Sequence, residues 1–233
     1  MNYFAHALPF LDESSRGEPY FAAATGVPDW LMVVDRRVRL KTRHVEPFLH
    51  DDDARTAAIA GGVWQHIHDD VWFHGSRAFA EVSLQLTVLA RDVLDRESRD
   101  EERGFRPSFL GHLLTEVLLD ATLIARYPQR LEAYYGVIDS IDTGFIESVV
   151  NRMAPRSTHR LGTLISEFSR QRVLSDYRED AKLMGRLNQV MRRVKCEPLP
   201  AEFTSILTKS RTLVDDRADE LLEGTPTNVE ASG

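Results

Sequence analysis

The sequence predicts an all-α protein, a multi-helix bundle, on three observations. Apolar residues recur at three- and four-residue spacing through most of the chain beyond residue 52, the period of a helix with one buried face. Alternating apolar and polar runs of strand type are scarce. Helix punctuation is frequent, with prolines at positions that suit a first turn or a stop.

Residues 2–8 form a short apolar turn that carries Asn2 and His6 four apart, ahead of a Gly/Ser/Pro-bearing loop from Asp12 to Pro19. Gly26-Val27-Pro28-Asp29-Trp30 is a turn opening an apolar stretch, where Pro28 suits a first helical position and Asp29 the first turn. Residues 52–74 and 76–97 read as two helices divided near Gly75. The first opens on Asp51-Asp52-Asp53, acidic residues that complement the positive end of a helix. Dense alternating charge from Asp95 to Arg106 reads as a solvated helix end and loop. A strong helix runs from Pro107 to Tyr127 and stops before Pro128. Helical patterns follow at 129–140, 142–153, 158–175, 177–194 and 199–222. The expected organisation is a single helical domain over 1–222, either one extended domain or one with 199–222 as a C-terminal helical appendage, and a disordered tail at 223–233.

With 233 residues, 42% of them hydrophobic and 28% charged, the chain can bury a large core. A net charge of −7 argues against a nucleic-acid or anionic-membrane binder. The one cysteine, Cys196, rules out an internal disulfide framework and a cysteine-based zinc site, and fits a reducing cytoplasm. The N-terminal residues lack a cationic n-region and break at Pro9, and no apolar run approaches about 18 residues, so neither a signal peptide nor a membrane span is expected.

Chemistry concentrates in two rows: His66-x3-Asp70-x3-His74 and His112-x3-Glu116-x3-Asp120. Residues four apart stack along one side of a helix, so each row offers three ligands to a common partner. Val63, Ile67 and Val71 edge the first row; Leu113, Val117, Ala121 and Ile124 edge the second. Carboxylates so flanked are partly buried, and burying them costs several kcal/mol unless a cation or hydrogen bonds compensate. A divalent metal held between helices satisfies both rows, and the chemistry it brings is hydrolysis. The alternative is a non-catalytic helical interaction module whose rows are interhelical salt bridges. A di-iron oxygenase is disfavoured, because such centres use Glu-x-x-His pairs and no histidine here has Glu three residues before it. His68-Asp69 forms the adjacent pair of HD-type phosphohydrolases, but both point away from the 66/70/74 row.

Met1-Asn2-Tyr3-Phe4-Ala5-His6, Gly62-Val63-Trp64-Gln65-His66 running on to Asp70, and Glu116-Val117-Leu118-Leu119-Asp120 resemble the acyl carrier protein phosphodiesterases. Asp176-Tyr177-Arg178-Glu179-Asp180 and Leu187-Asn188-Gln189-Val190-Met191 are similar to that family's C-terminal helix. The resemblance implies an HD-domain-like metallophosphohydrolase architecture. It also implies hydrolysis of the phosphodiester between 4′-phosphopantetheine and a carrier-protein serine, with manganese. On that reading His6, Asp29, His66, Asp70, Glu116 and Asp120 lie at or near the metal. His74 stands where the family often has Asp, His112 is an addition, and the basic residues expected after Asp29 come later.

Carboxylates suit Mn²⁺ or Mg²⁺, and imidazoles draw the preference toward Mn²⁺, Fe²⁺ or Zn²⁺; Mn²⁺ is favoured. An uncoordinated histidine, His112 or His6, would protonate the leaving oxygen, with Asp70 as the third catalytic candidate. The basic run Arg36-Arg37-Val38-Arg39-Leu40-Lys41-Thr42-Arg43 reads either as a docking edge for phosphate or an acidic protein, through Arg36, Arg37, Arg39 and Lys41, or as a solvated face balancing Asp51–Asp53. Tyr177 and Arg178 are candidates for a substrate rim, and Trp30, Trp64 and Trp72 for the core. The expected partner is acyl carrier protein or a small phosphodiester.

Overall fold

A computed structural model describes residues 1–11, 19–94 and 107–224. Among them every regular element is a helix and none is a strand, as the hydropathy period predicts. The described residues fall into two compact units that interleave along the chain: residues 1–72 with 127–173, and residues 73–126 with 174–224.

The first unit contains α1 (Tyr3–Ala7), α2 (Pro19–Ala24), α3 (Val27–Val34), α4 (Thr42–Val45) and most of α5 (Ala54–Gly75). It is completed by three helices from later in the chain, termed α8 (Pro128–Ser140), α9 (Thr143–Met153) and α10 (Leu161–Arg170). The acidic run before α5 works as its start signal, since Asp53 Oδ1 accepts from the backbone N–H of Arg55 at 2.9 Å. Asp142 caps α9 in the same way through the N–H of Phe145. Trp30 on α3 is fully buried and meets Tyr3 and Phe168 with ring centroids 5.9 and 5.6 Å away, joining α1, α3 and α10. Trp64 and Trp72, expected in the core beside it, are only partly buried. Gly62 lets α5 press onto α2, because a Cβ there would overlap the carbonyl of Phe21.

The second unit contains the end of α5, α6 (Arg77–Leu94), α7 (Pro107–Arg126), α11 (Asp180–Arg193), α12 (Thr204–Asp216) and α13 (Ala218–Leu222). α6 and α7 form its tightest pair, meeting where Gly111 leaves room for Thr87 and the carbonyl of Ser83. α12 packs on α6, α7 and α11. Of the two readings of 199–222, extended domain or appendage, the packing favours the first: the segment is an integral layer of this unit. Only α7 among the described helices is long and apolar enough to cross a membrane. Its 18-residue apolar window has mean hydropathy 1.4 and is 67% buried, as in a core helix.

The element boundaries differ in places from the sequence pattern. The 158–175 pattern narrows to α10 and continues as a 3-10 helix over Val173–Arg178, and 199–222 divides at Arg217. α2 and α4 were not expected, because four to six residues are too few for a helical period to register. Of the loops and tail read from composition, residues 12–18, 95–106 and 225–233 lie outside the described residues.

Candidate metal centre

In the first unit His6, Asp29 and His66 each offer a ligand atom, and these atoms lie within 4.8 Å of one another. His6 comes from α1, Asp29 from the first turn of α3 after Pro28, and His66 from the middle of α5. Both imidazoles are buried and stack with centroids 3.9 Å apart. Each is fixed from behind. His66 Nδ1 lies 2.7 Å from the backbone carbonyl of Thr25. A carbonyl only accepts, so Nδ1 carries the proton and a neutral His66 keeps its lone pair on Nε2. His6 Nδ1 lies 3.1 Å from Asp69 Oδ2, and Gln65 Nε2 donates to the other oxygen of that carboxylate at 2.7 Å. Both Nε2 atoms then face Asp70, at 3.4 Å from its two oxygens.

A lone pair facing a carboxylate oxygen is repulsive unless positive charge lies between them. A proton or a metal ion meets that need, and the Nδ1 hydrogen bonds to Asp69 and Thr25 are the outer contacts that orient ligating histidines. The donor set of imidazole and carboxylate fits a divalent first-row cation. The amino group of Met1 also donates to Asp70, at 2.8 Å. Burial pushes the Asp70 carboxyl toward its neutral form, but hydrogen bonds from His6 and His66 and nearby positive charge outweigh it and hold the group well below the usual carboxylate range. Burial likewise disfavours the charged form of His66, yet Asp70 and Asp29 raise its pKa overall.

Asp29, His66 and Asp70 also line a pocket of about 240 Å³ whose other walls are mainly apolar and include Met32, Val38 and Leu40. Arg39 reaches the same pocket. Arg36 and Arg37, expected to share its role, do not line it. Arg37 is instead forked onto Asp35 at 2.9 and 3.0 Å, and Lys41 precedes α4, where its backbone N–H donates to His44.

The second unit gathers His74, His112 and Glu116 in the same sense, with ligand atoms within 4.8 Å. His74 Nε2 is 2.9 Å and His112 Nε2 3.4 Å from one oxygen, Glu116 Oε1. The two rings are 4.6 Å apart, and Phe79 meets both edge-on. Burial opposes ionisation of Glu116, but the histidine contacts contribute to holding it below its ordinary value.

The row His66, Asp70, His74 thus divides, with its first two members in one unit and the last in the other. Asp120, expected beside Glu116, is fully buried one turn further along α7 and is not among the residues gathered there. Tyr177, expected at a rim, is buried instead, and its carbonyl accepts from Arg211; Arg178 is exposed. His6, a candidate proton donor, has Nδ1 committed to Asp69 and Nε2 on the ligand side, which suits a ligand rather than an acid. His68 turns away as expected, stacked on Trp64 with Nδ1 against its carbonyl. Asp69 also lies off the 66/70/74 row, as its position predicts, and its carboxylate supports His6. Its place in the HD pair was the available signal; nothing in the sequence marked Thr25 or Gln65. Comparison of the chain with protein-family models, with curated proteins and with solved structures gives no match to any of them.

Proposed function

We propose that this protein is a metal-dependent phosphohydrolase acting on a phosphodiester, with Mn²⁺ as its preferred ion. The observation that carries the reading is the pair of buried imidazoles, each held at Nδ1 by an outer acceptor and each turning Nε2 toward Asp70, with Asp29 beside them. His6, Asp29, His66 and Asp70 would hold the ion. Asp69 and the Thr25 carbonyl fix the rings, so that little ligand motion accompanies binding. When bound, such an ion polarises a phosphoryl oxygen and lowers the pKa of a coordinated water toward neutrality. The mixed imidazole and carboxylate donors favour Mn²⁺ or Fe²⁺ over the all-oxygen preference of Mg²⁺. The resemblance of the His6, His66–Asp70 and Glu116–Asp120 segments to the acyl carrier protein phosphodiesterases supports a phosphopantetheinyl protein as substrate.

A second reading, a helical interaction module without catalysis, is favoured by the 2.9 Å His74–Glu116 contact, which satisfies that carboxylate with no metal. Elemental analysis separates the two. Stoichiometric Mn, Fe or Zn in the purified protein is expected, with hydrolysis of bis-p-nitrophenyl phosphate exceeding that of p-nitrophenyl phosphate and lost in EDTA. A metal-free protein whose melting temperature ignores EDTA and added Mn²⁺ defeats the hydrolase reading.

A further inference from the structure

Beside the buried histidines, one cation stands in a largely apolar pocket. Arg39 lines the cavity that also exposes Asp29, His66 and Asp70, and among the described residues it has no ion-pair partner. It differs in this from Arg37, two residues earlier, whose guanidinium is bound by Asp35. Met32, Val38 and Leu40 supply apolar wall to the same cavity, and Met32 is 45% exposed. An unpaired guanidinium presents a planar fork of donors that matches a phosphoryl or carboxylate group. Apolar neighbours around it disfavour a second charge on the ligand. At about 240 Å³ the cavity falls below the roughly 300–1,000 Å³ typical of drug-sized ligands, so it encloses a phosphoryl group and one small arm of the ligand but not a whole nucleotide.

We infer that Arg39 is the anion-docking residue of this pocket, and that the ligand it selects is a phosphodiester anion, one of whose two substituents is uncharged and apolar where it is laid against Met32, Val38 and Leu40. The choice of a phosphoryl group rests on the phosphohydrolase reading; the charge and the apolar wall stand without it. Specificity then comes from two separable parts, a guanidinium that binds any such anion and a wall that ranks the substituents.

Isothermal titration of the full chain with inorganic phosphate and with phenylphosphonate, each with Mn²⁺ and with EDTA, tests both parts. The wild type is expected to bind phenylphosphonate about tenfold more tightly than phosphate, the scale of burying part of one ring. Arg39→Ala is expected to weaken both by about tenfold to a hundredfold, as for loss of a charge-assisted contact, with Arg39→Lys in between. Met32→Ser is expected to erase the phenyl preference and spare phosphate. Arg91→Ala, which removes the same charge from an exposed site on α6, is expected to bind as wild type. Unchanged binding by a folded Arg39→Ala protein overturns the inference, as does Mn²⁺ binding by the wild type with neither anion bound. Arg39-dependent phenylphosphonate binding in a protein that takes up no metal sustains the docking assignment and defeats only the hydrolase.

Discussion

Both histidine–carboxylate clusters contain two imidazoles whose Nε2 atoms face one carboxylate, yet they differ behind the rings. In the first unit His6 and His66 are buried, and each Nδ1 is held by a fixed acceptor. In the second unit His74 and His112 are 31% and 43% exposed, both Nε2 atoms crowd one oxygen of Glu116, and among the described residues neither Nδ1 has a hydrogen-bond partner. A metal site needs its ligands oriented before the ion arrives, whereas an ion pair needs only proximity. The first cluster has that orientation built in; the second has the composition of a ligand set with the support of a salt bridge.

The contrast is broken most directly at the ligands. His66→Ala is expected to abolish stoichiometric metal in the first unit, while His112→Ala leaves that metal in place; elemental analysis after desalting reads both. Equal loss in the two variants would erase the distinction. The outer acceptor comes next: Asp69→Asn keeps the shape beside His6 but removes a carboxylate that accepts from both His6 and Gln65. A metal affinity about 10–100-fold weaker, measured by competition with a chelating dye, is expected for such a change. No shift in affinity would mean that Asp69 does not orient the ring.

Backbone approach distinguishes the units less, since each contains a helix glycine pressed against a neighbouring carbonyl. A Cβ at Gly62 meets the carbonyl of Phe21, and one at Gly111 meets Thr87 and the carbonyl of Ser83. Neither carbonyl can yield as a flexible side chain does, so Gly62→Ala and Gly111→Ala are each expected to cost about 1–3 kcal/mol or more in denaturant unfolding. Only Gly62→Ala, one turn before His66, should also weaken metal binding in the first unit.

Most of the helices, and His66, Asp70, His74, His112 and Glu116 as ligand types, were legible in the sequence because a four-residue repeat and a helical period are local signals, whereas His6 and Asp29 were marked as metal ligands only by the family resemblance. The grouping was not legible. The row from His66 to His74 predicts one shared partner, but His66 pairs with His6, from a five-residue helix 60 positions earlier, and His74 with α7. Long-range pairing of this kind leaves no periodicity. Thr25 was invisible for a different reason: it contributes a backbone carbonyl, which every residue has. Arg39 could be named only together with Arg36, Arg37 and Lys41, because proximity to Asp35, which occupies Arg37, is a matter of turn geometry rather than composition.

Protonation yields the smallest expected effect and sharpens the first cluster alone. In the metal-free protein the pKa of His66 is raised, so its contribution to stability is fully present below the usual imidazole value of about 6.5 and is lost as pH climbs through the higher folded value. Asp70 is depressed, so its contribution is present above the usual carboxylate value of about 3.9 and is lost as pH falls toward the lower folded value. Chelator-treated protein should therefore be most stable between about pH 4 and 6.5 and soften on the alkaline side. A metal ion competes with the proton for His66 Nε2, so the rise in melting temperature on adding Mn²⁺ should widen from about pH 6 to about pH 8, as read by calorimetry at matched ionic strength. In His66→Ala that widening should vanish while the His74–Glu116 pair is untouched. An increment that shrinks with rising pH in the wild type would mean that the lone pair on His66 is not where the ion binds.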